Sequence, residues 1–463
     1  MNNNSKKKIL YIHHGKGIGG APLSLLYLIE NLDKQKYHPI VLFLHDSEVV
    51  ELYKSKGIEV VGPINEYDFP HTKIWWLRWY HFPFFLKILF STFKTYFFIA
   101  PFWLKKIKPD LIHLNTSSLI AWGKAANKLK IPVIWHVREP LADGYFGIRK
   151  KIVQKCVAKY ATKILPICKN DAKPWENNLK TDVVYNAVDL TIFCPSFDYA
   201  QDERADRVDL NLFCPSTVRL TLRPLNKLGD NAERRSYPTI LFLGGLSKEK
   251  GTLLIFKVFE KLLEKLPNAK LIVAGYFKDS AHPEERSVSK EGRAGWDIFL
   301  NFDKIKKKFP AQKFEKEVAD VLQKIKNNVE FLGPIKNVPQ IISESDVLVF
   351  PATVGHFARP IIEASCMAKP VVASNLPPLN ELVINGKTGF LIDTSDIDLW
   401  VEKLYKLLTD EQLNRKMGFA GFEFATKNFD VKLQIQKIEK IYSEVLERDE
   451  SGKIKKRSNE TLG

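Results

Sequence analysis

VEFLGPIKNVPQIISESDVLVFPATVGHFARPIIEASCMAKPVVASNLPPLNELVINGKTGFLID, residues 329–393, is the stretch that decides the fold. Two short apolar runs, Val347–Phe350 and Pro370–Ala373, indicate buried strands. Between them the segment Phe357–Met367 carries apolar and small residues at helical spacing. A strand, a loop, a helix and a second strand in this order are typical of one half of an α/β nucleotide site.

A carboxylate, Glu363, stands inside this otherwise apolar helix. Burying an unpaired carboxylate costs several kcal/mol, which is comparable with the whole stability of a folded protein. We therefore expect Glu363 to have a partner, either a hydroxyl group of a ligand or a basic side chain.

The rest of the chain repeats the alternation of strands and helices in two halves. Continuous apolar runs of this kind are typical of parallel strands that are buried on both faces. The predicted strands are Ile9–His13, Pro39–Leu44, Ile58–Val61, Leu111–Leu114, Val133–His136 and Lys163–Pro166, then Thr239–Leu243, Lys270–Ala274, Val329–Leu332, Val347–Phe350 and Pro370–Ala373. The sequence thus predicts an α/β protein with doubly wound parallel sheets, which bind ligands beyond the carboxyl ends of their strands.

A length of 463 residues, of which 45% are hydrophobic, predicts two domains with their own cores. The run VDLTIFCPS at 188–196 recurs as VDLNLFCPS at 208–216, which indicates an inserted or duplicated stretch between the halves. The predicted order is a first domain at 1–190, a linker with this insertion at 191–236, a second domain at 237–425 with an inserted loop at 278–310, a helix at 426–448 that packs back toward the first domain, and a disordered tail at 449–463.

The formal charge of +17 calls for an anionic partner, either nucleic acid or a membrane surface. We find no nucleic-acid recognition module and predict no nucleic-acid partner. Residues 71–109 carry seven Lys or Arg, no acidic residue and four of the nine tryptophans. Basic, aromatic segments lie in the headgroup region of anionic bilayers, so this segment predicts a membrane-facing surface. The alternative is that its aromatic residues fill the core of the first domain.

Five cysteines show no spacing typical of a zinc site or a disulfide framework, which favours reduced thiols in the cytoplasm. The apolar run Ile9–Ile12 is too short for the core of a signal peptide, and no segment offers about 18 uncharged apolar residues for a spanning helix. Asp396 and Asp398 form the one Asp-x-Asp, which we interpret as the start of a surface helix. We expect a cytoplasmic protein, peripheral at the inner face of the cytoplasmic membrane.

The run GHFARPIIEA, residues 355–364, resembles the motif of retaining family 4 glycosyltransferases, written EGFGLPLLEA or EPFGRVIIEA. Glu363 matches the second Glu of that motif, whereas Gly355 stands where the first is expected. The resemblance implies the GT-B fold, in which two Rossmann-like domains face a central cleft. It also implies a nucleoside-diphosphate sugar as co-substrate, with no metal and no other cofactor. In the family, the second Glu accepts hydrogen bonds from the ribose of the nucleotide.

A second motif, GGLSKEKG at 244–251, resembles the family run GRLSPEKG, whose Arg and Lys bind the diphosphate. Lys250 matches that Lys, and Gly245 replaces the Arg. Losing one charge-assisted hydrogen bond weakens diphosphate binding by about 1.5–3 kcal/mol unless another cation replaces it. Lys248 and Arg359 are the candidates, although Lys248 fits a solvated surface lysine equally well.

His136 ends a predicted strand in VIWHVREP, where the family places a His that contacts the donor sugar. A histidine among apolar neighbours is also a common structural residue, so this alternative stays open. We predict His136 and Glu363 as the catalytic pair. Arg138 and Glu139 follow at once, and we expect them either to pair with each other or to meet the acceptor.

The glycine-rich run HHGKGIGGAPLS, residues 13–24, joins the first strand to the first helix. Gly15, Gly17 and Gly20 form a GxGxxG that would suit a dinucleotide, with Asp46 beyond the second strand. The family instead has a Gly-Gly turn here, Gly19 and Gly20, where backbone amides at a helix start can approach a phosphate. The donor-binding residues implied by the resemblance are Gly19, Gly20, Lys248, Lys250, His356, Phe357, Ala358, Arg359 and Glu363.

The resemblance implies a hexosyltransferase that moves a sugar from a nucleoside-diphosphate sugar, with retention, to a lipid-linked or cell-surface polysaccharide acceptor. Three alternatives remain at this stage. They are a nucleotide-sugar epimerase of the same fold, an NAD-dependent oxidoreductase using the GxGxxG, and a relative that binds nucleotide but has lost catalysis because Gly245 and Gly355 remove two expected contacts.

Overall fold

A computed structural model of the protein describes residues 6–14, 19–69, 82–141, 143, 147–193, 237–275, 313–335 and 337–460. The chain divides into two units. The first unit consists of Met1–Ala187 together with Val431–Gly463, and the second consists of Val188–Asp430. Almost all of the predicted linker at 191–236 and the whole predicted loop at 278–310 lie outside the described residues.

The first unit is built on a six-stranded parallel sheet with the order β3-β2-β1-β4-β5-β6. Its strands are β1 Lys7–His13, β2 Tyr37–Phe43, β3 Glu59–Val61, β4 Leu111–Leu114, β5 Val133–Val137 and β6 Lys163–Pro166. Its helices are α1 Gly20–Asn31, α2 Glu48–Ser55, α3 Phe82–Lys94, α4 Ala100–Ile107, α5 Ile120–Lys128, α6 Ile148–Tyr160 and α7 Lys169–Ala172, with a π-helical turn at Thr95–Ile99 between α3 and α4.

The second unit has another six-stranded parallel sheet, with the order β12-β11-β10-β7-β8-β9. Its strands are β7 Thr239–Leu243, β8 Lys270–Ala274, β9 Val329–Gly333, β10 Val347–Phe350, β11 Val371–Ser374 and β12 Gly389–Ile392. Its helices are α8 Thr252–Leu263, α9 Lys313–Ile325, α10 Val338–Ser343, α11 Arg359–Cys366, α12 Ile397–Thr409 and α13 Glu411–Phe429. The last helix of the chain, α14 Val431–Glu460, belongs to the first unit.

Both sheets confirm the predicted α/β class with Rossmann-like, doubly wound parallel sheets. The central strands are buried on both faces, as Ile9, Leu10, Tyr11 and Ile12 of β1 show, each with no exposed surface. Because these strands are buried on both faces, their sequences are unbroken runs of apolar residues.

Helix α14 completes the core of the first unit. Its apolar residues pack in one cluster with β1, β2 and α1, through Ile435, Ile438, Ile441, Tyr442, Val445 and Leu446. The prediction of a disordered tail from residue 449 differs from the structure, because α14 continues to Glu460. A helix that is already nucleated extends at little cost through residues such as Glu, Lys and Arg, which favour the helical state.

The strand order places a switch point in each sheet. In the first sheet the order reverses between β1 and β4, and in the second it reverses between β7 and β10. Ligands of doubly wound folds bind at the carboxyl ends of the two strands that flank this point. The loops that follow β1, β4, β7 and β10 are therefore where a site is expected.

Candidate functional site

Two loops meet at the switch point of the second unit. Residues 244–251 follow β7, and residues 351–358 follow β10. Thr353 joins them, because its backbone N–H donates to the Glu249 carbonyl at 3.0 Å and its hydroxyl donates to the Lys248 carbonyl at 3.0 Å. A Cβ on Gly251 would lie 1.7 Å from the Pro351 carbonyl oxygen, so glycine permits this close approach of the two loops.

A hydrogen bond across the same two loops holds Lys250. Its Nζ lies 2.7 Å from His356 Nε2, and His356 Nδ1 lies 2.9 Å from the Val354 carbonyl oxygen. A carbonyl only accepts, so Nδ1 carries the imidazole proton and Nε2 accepts from the Lys250 ammonium. Burial lowers the pKa of Lys250. Burial and then the charge of Lys250 lower the pKa of His356, which keeps the imidazole neutral.

Glu363 lies on α11 and pairs with Arg359 one helical turn earlier. Arg359 Nη2 is 3.0 Å from Glu363 Oε1, and Nε donates to the same oxygen at 3.2 Å. Both residues are buried. The expectation that Glu363 needs a partner is confirmed, and the partner is a basic side chain. Since two N–H groups of Arg359 already serve Glu363, Arg359 is less available to replace the cation that Gly245 lacks.

The remaining predicted donor residues surround the start of α11. Ala358 is the N-cap of this helix and makes no side-chain cap, so the positive end of the helix dipole has no capping side chain. Pro360 carries no N–H, and the Ile361 N–H donates to the Ala358 carbonyl at 3.2 Å. His356 and Phe357 are half-buried, and the Lys248 side chain is exposed. The structure thus brings most of the predicted donor residues of the second unit together in two neighbouring loops and the start of α11, namely Lys250, His356, Phe357, Ala358, Arg359 and Glu363. Lys248 lies at the edge of this group.

In the first unit, His136 is buried and lies one residue before the end of β5. Its Nδ1 lies 3.0 Å from His113 Nε2 and 3.4 Å from Arg138 Nη2. Burial, Arg138 and His113, in that order, hold the pKa of His136 well below its usual value. Within the described part of the chain, His136 Nε2 has no hydrogen-bond partner.

Arg138 and Glu139 point to different partners. Arg138 Nε donates to Asn115 Oδ1 at 2.5 Å, and Nη1 donates to Asn186 Oδ1 at 2.6 Å. Glu139 Oε1 accepts from the Ser117 amide at 2.8 Å, the Ser117 hydroxyl at 2.6 Å and the Thr116 hydroxyl at 2.7 Å. The first of the two predicted possibilities, a pair between Arg138 and Glu139, is therefore wrong.

A polar run after β4 contributes to the site but was not predicted from the sequence. Asn115, Thr116, Ser117 and Ser118 follow directly on an apolar strand at the switch point, and all four are buried. A run of four hydrogen-bonding side chains next to a buried strand was the signal that could have identified them. Tyr442 and Asn186 had no such signal, because they come from distant parts of the chain.

The glycine loop after β1 is described only in part. Gly19 is the extended N-cap of α1, with φ −133°, and Gly20 is the first helical residue. A Cβ on Gly19 would have no neighbour within 4 Å among the described atoms. Gly15 and Gly17 lie outside the described residues, so the GxGxxG alternative stays a prediction.

Among the described residues, no group of three or more His, Cys, Asp or Glu could hold a metal ion. Asp396 caps α12, where its Oδ1 accepts from the Leu399 amide at 3.0 Å, and Asp398 pairs with Lys261. Cys156, Cys168 and Cys366 are free thiols, whereas the other two cysteines lie outside the described residues. In the part of the chain that the structure describes, no helix is both long and apolar enough to span a bilayer.

Two family models match the chain. The model described as Glycosyl transferases group 1 matches residues 226–424, and the model described as Glycosyltransferase Family 4 matches residues 18–192. One match therefore falls mainly on the second unit and the other on the first.

Two bacterial glycosyltransferases are similar to this chain in sequence. The Escherichia coli UDP-Gal:alpha-D-GlcNAc-diphosphoundecaprenol alpha-1,3-galactosyltransferase is 22% identical over 374 residues, which cover 78% of this chain and 80% of that protein. The Staphylococcus aureus capsular polysaccharide biosynthesis glycosyltransferase CapM is 24% identical over 209 residues, or 45% of this chain. The first curated relatives are matched over less than half of their own length, CapM for instance over 47%.

Among solved structures, Anabaena HepE in complex with UDP has the same fold. It aligns with a TM-score of 0.66 at 19% identity, and the alignment covers 95% of this chain and 100% of HepE. Identity at this level carries the fold and not the substrate.

Proposed function

The chain belongs to the group 1 glycosyltransferases, and we propose that it moves a hexose from a nucleoside-diphosphate sugar, with retained configuration, to a lipid-linked or surface-polysaccharide acceptor. The observation that carries the proposal is Lys250, a half-buried cation that His356 holds between the two switch-point loops of the second unit. Burial lowers the pKa of Lys250, so an anion beside it would stabilise its charged form, and a phosphate group is the anion that binds at this position of a doubly wound sheet.

The chemistry consists of positioning and charge neutralisation. The bond between the anomeric carbon and the diphosphate breaks, the acceptor oxygen bonds to that carbon from the same face, and the acceptor proton passes to the departing phosphate. Lys250 and the positive N-terminal end of α11 stabilise the negative charge of the diphosphate. Glu363, held by Arg359, accepts from the ribose hydroxyl groups. No metal or other cofactor is required in this scheme, so activity should survive EDTA.

UDP is the nucleotide that we expect first. The E. coli relative is named for UDP-Gal, and the HepE structure holds UDP. The acceptor side of the proposal has weaker but specific support, because the names of the two relatives refer to a diphosphoundecaprenol-linked substrate and to capsular polysaccharide.

A lipid-linked acceptor fits an exposed apolar stripe on α3, the π-helical turn and α4. Its members recur at helical spacing and are all exposed: Leu86, Leu89, Phe90, Phe93, Phe97, Phe98 and Phe102. Patches of this kind mark interaction sites on soluble proteins. Lys87, Lys105 and Lys106 are also exposed, and residues 86–108 contain no carboxylate.

We therefore propose that the exposed apolar stripe lies on an anionic membrane, as a peripheral contact at the inner face of the cytoplasmic membrane. Rings and lysines together match the headgroup region. The alternative that the aromatic residues fill the core applies to Tyr96 and Trp103, which are partly buried and pack against the core of the first unit.

Nucleotide binding is the experiment that tests the proposed function. We expect UDP and UDP-hexoses to raise the melting temperature, and GDP and NAD to have no effect. Lys250→Ala should weaken UDP binding by about 10- to 100-fold, which corresponds to the loss of one charge-assisted hydrogen bond. Lys257→Ala is the matched control, since it removes an exposed lysine of α8 that lies in neither switch-point loop and should leave UDP affinity within about threefold.

Three outcomes would favour the alternatives. NAD binding without UDP binding would support an oxidoreductase. Interconversion of UDP-hexoses without an acceptor would support an epimerase. Tight UDP binding with neither transfer nor donor hydrolysis would support a relative that has lost catalysis.

A further inference from the structure

Four buried polar side chains form a line of hydrogen bonds inside the first unit. Tyr11 Oη lies 3.0 Å from Tyr442 Oη, and Tyr442 Oη lies 2.6 Å from His113 Nδ1. His113 Nε2 lies 3.0 Å from His136 Nδ1. The line starts on β1, passes through α14 and β4, and ends on β5 at the predicted catalytic histidine.

The hydrogen bonds of this line can all point in either of two directions. The surroundings of His136 favour one of these directions. Arg138 Nη2 lies 3.4 Å from His136 Nδ1, and Asn115 and Asn186 hold the guanidinium in place. A guanidinium is always charged and only donates. It therefore opposes a proton on His136 Nδ1, so this nitrogen accepts.

The other end of the line favours the same direction. Among the described residues, the hydroxyl group of Tyr442 is the one hydrogen-bond partner of the buried Tyr11 hydroxyl group. If Tyr442 donated to Tyr11, the Tyr11 hydroxyl hydrogen would therefore have no acceptor there. Leaving a buried donor without an acceptor costs about 1–3 kcal/mol. Tyr11 therefore donates to Tyr442, Tyr442 to His113 Nδ1, and His113 Nε2–H to His136 Nδ1.

We propose that this line fixes His136 as a hydrogen-bond donor through Nε2–H, with His113, Tyr442 and Arg138 as its positioning residues. The inference rests on the proposed function and takes an oxygen of the transferred sugar as the acceptor of Nε2–H, as the family resemblance implies for His136. His136 is 2% exposed, and its Nε2 meets no acceptor in the part of the chain that the structure describes. In this tautomer His136 has no lone pair on Nε2, so it holds the sugar and does not remove the acceptor proton.

The protonation state agrees with this assignment. Burial, followed by the charge of Arg138, holds the pKa of His113 well below its usual value, and the pKa of His136 is lowered for the same reasons. Both rings are therefore neutral at pH 7.5, and each carries one proton whose position the line decides.

The test compares two variants of the full-length protein, each of which removes one buried hydroxyl group from the line. Tyr442→Phe removes the donor to His113 Nδ1, so His113 can adopt its other tautomer and accept at Nε2 from His136 Nδ1–H. Tyr11→Phe leaves that donor in place and serves as the matched control. Long-range ¹H–¹⁵N spectra of ¹⁵N-histidine-labelled protein report which nitrogen of each ring is protonated, and His136→Gln assigns the His136 signals.

We expect wild type and Tyr11→Phe to show His136 protonated at Nε2, and Tyr442→Phe to populate the other tautomer. The kcat of transfer should fall about three- to tenfold in Tyr442→Phe and stay within about twofold in Tyr11→Phe, as the loss of one neutral hydrogen bond predicts. His136 protonated at Nδ1 in wild type would overturn the inference. So would equal loss of activity in both variants with unchanged tautomers.

The failure of this inference is distinguishable from the failure of the proposed function. The spectra need no substrate. A wild-type protein that shows Nε2–H but transfers no sugar would support the direction of the line and overturn the proposed function. Active sugar transfer by a protein whose His136 is protonated at Nδ1 would support the proposed function and overturn the direction of the line.

Discussion

Gly355 has no room for a side chain. A Cβ built there would lie 1.8 Å from the Pro377 carbonyl oxygen. Gly245, at the other position where the family motif carries a charged residue, has φ +63°, a left-handed conformation that costs most residues about 1–2 kcal/mol. The backbone of this chain has therefore adapted to both glycines, and restoring either motif residue alone would strain it.

We predict that Gly355→Glu, which restores the family motif, destabilises the protein and lowers its activity. The new Cβ must displace the Pro377 backbone, and overpacking of this kind costs about 1–3 kcal/mol. Urea unfolding and a sugar-transfer assay measure the two effects. Gly355→Ala is the control, since it adds the same Cβ without the carboxylate and should lose similar stability. A Gly355→Glu protein as stable as wild type, with higher activity, would contradict this reading.

Single residues differ in how far their roles could be predicted from sequence. A partner for Glu363 could be predicted, because a buried charge implies one. The donor-binding roles of Lys250 and Glu363 stay predictions from the short motifs in which they lie. The tyrosine that contacts His113 could not be predicted. Tyr442 lies 329 residues further along the chain, and only the packing of α14 brings the two together. Nothing local to either residue encodes that contact.

At the scale of elements, two glycines of α13 differ in how much space surrounds them. A Cβ on Gly418 would lie 2.0 Å from the Ala368 carbonyl oxygen, just past the end of α11. A Cβ on Gly421 would be 3.7 Å from its nearest neighbours, an ordinary contact distance. Helix propensity favours Ala over Gly at both positions by about 1 kcal/mol.

We predict opposite signs for the two substitutions. Gly418→Ala should destabilise the protein by about 1–3 kcal/mol, because overpacking outweighs the gain in propensity. Gly421→Ala should be neutral or stabilise it by up to about 1 kcal/mol. Chemical denaturation of both variants measures the difference, and stabilisation by both would show that α13 has more space at Gly418 than its geometry implies.

The exposed apolar stripe makes a separate prediction. Phe90→Glu with Phe98→Glu should reduce binding to phosphatidylglycerol vesicles at least about tenfold, because each ring that enters the interface contributes on the order of 1.5 kcal/mol. Folding stability should not change, since both rings are 66% exposed. Leu179→Glu is the matched control, because Leu179 is fully exposed elsewhere in the same unit. Sedimentation with vesicles gives the readout, and equal binding by all three proteins would remove the stripe from the proposal.

The strands show what element prediction can and cannot reach. The predicted strands were confirmed because burial on both faces leaves a clear apolar run. Strand β12 was not among the predicted strands, because Gly389–Ile392 begins with a glycine, a residue that weakens a strand. Its place in the sheet comes from pairing with β11, which is a tertiary contact.

At the scale of the whole molecule, the chain leaves the first unit at Ala187 and returns to it at Val431. Besides Val431, six apolar side chains of α14 lie in the core of that unit. Each buried side chain of this size contributes about 1.5–3 kcal/mol, so together they match the entire stability of a typical domain, about 5–15 kcal/mol.

We predict that a chain ending at Asp430 does not fold its first unit, whereas a chain ending at Glu447 does. The second truncation keeps all six side chains and removes only residues 448–463. Thermal unfolding and limited proteolysis should show the first unit lost and the second retained in the shorter protein. A native-like, protease-resistant first unit without α14 would contradict the prediction.

The position of α14 also sets the order of events during synthesis. The 243 residues from Val188 to Asp430 must be translated before this helix exists. At about 5–20 residues per second, this takes roughly 12 to 50 seconds. Throughout that interval the apolar side of β1 that α14 later covers stays exposed on the nascent chain. We therefore expect chaperones that bind apolar surface to protect the N-terminal half until the helix has been translated.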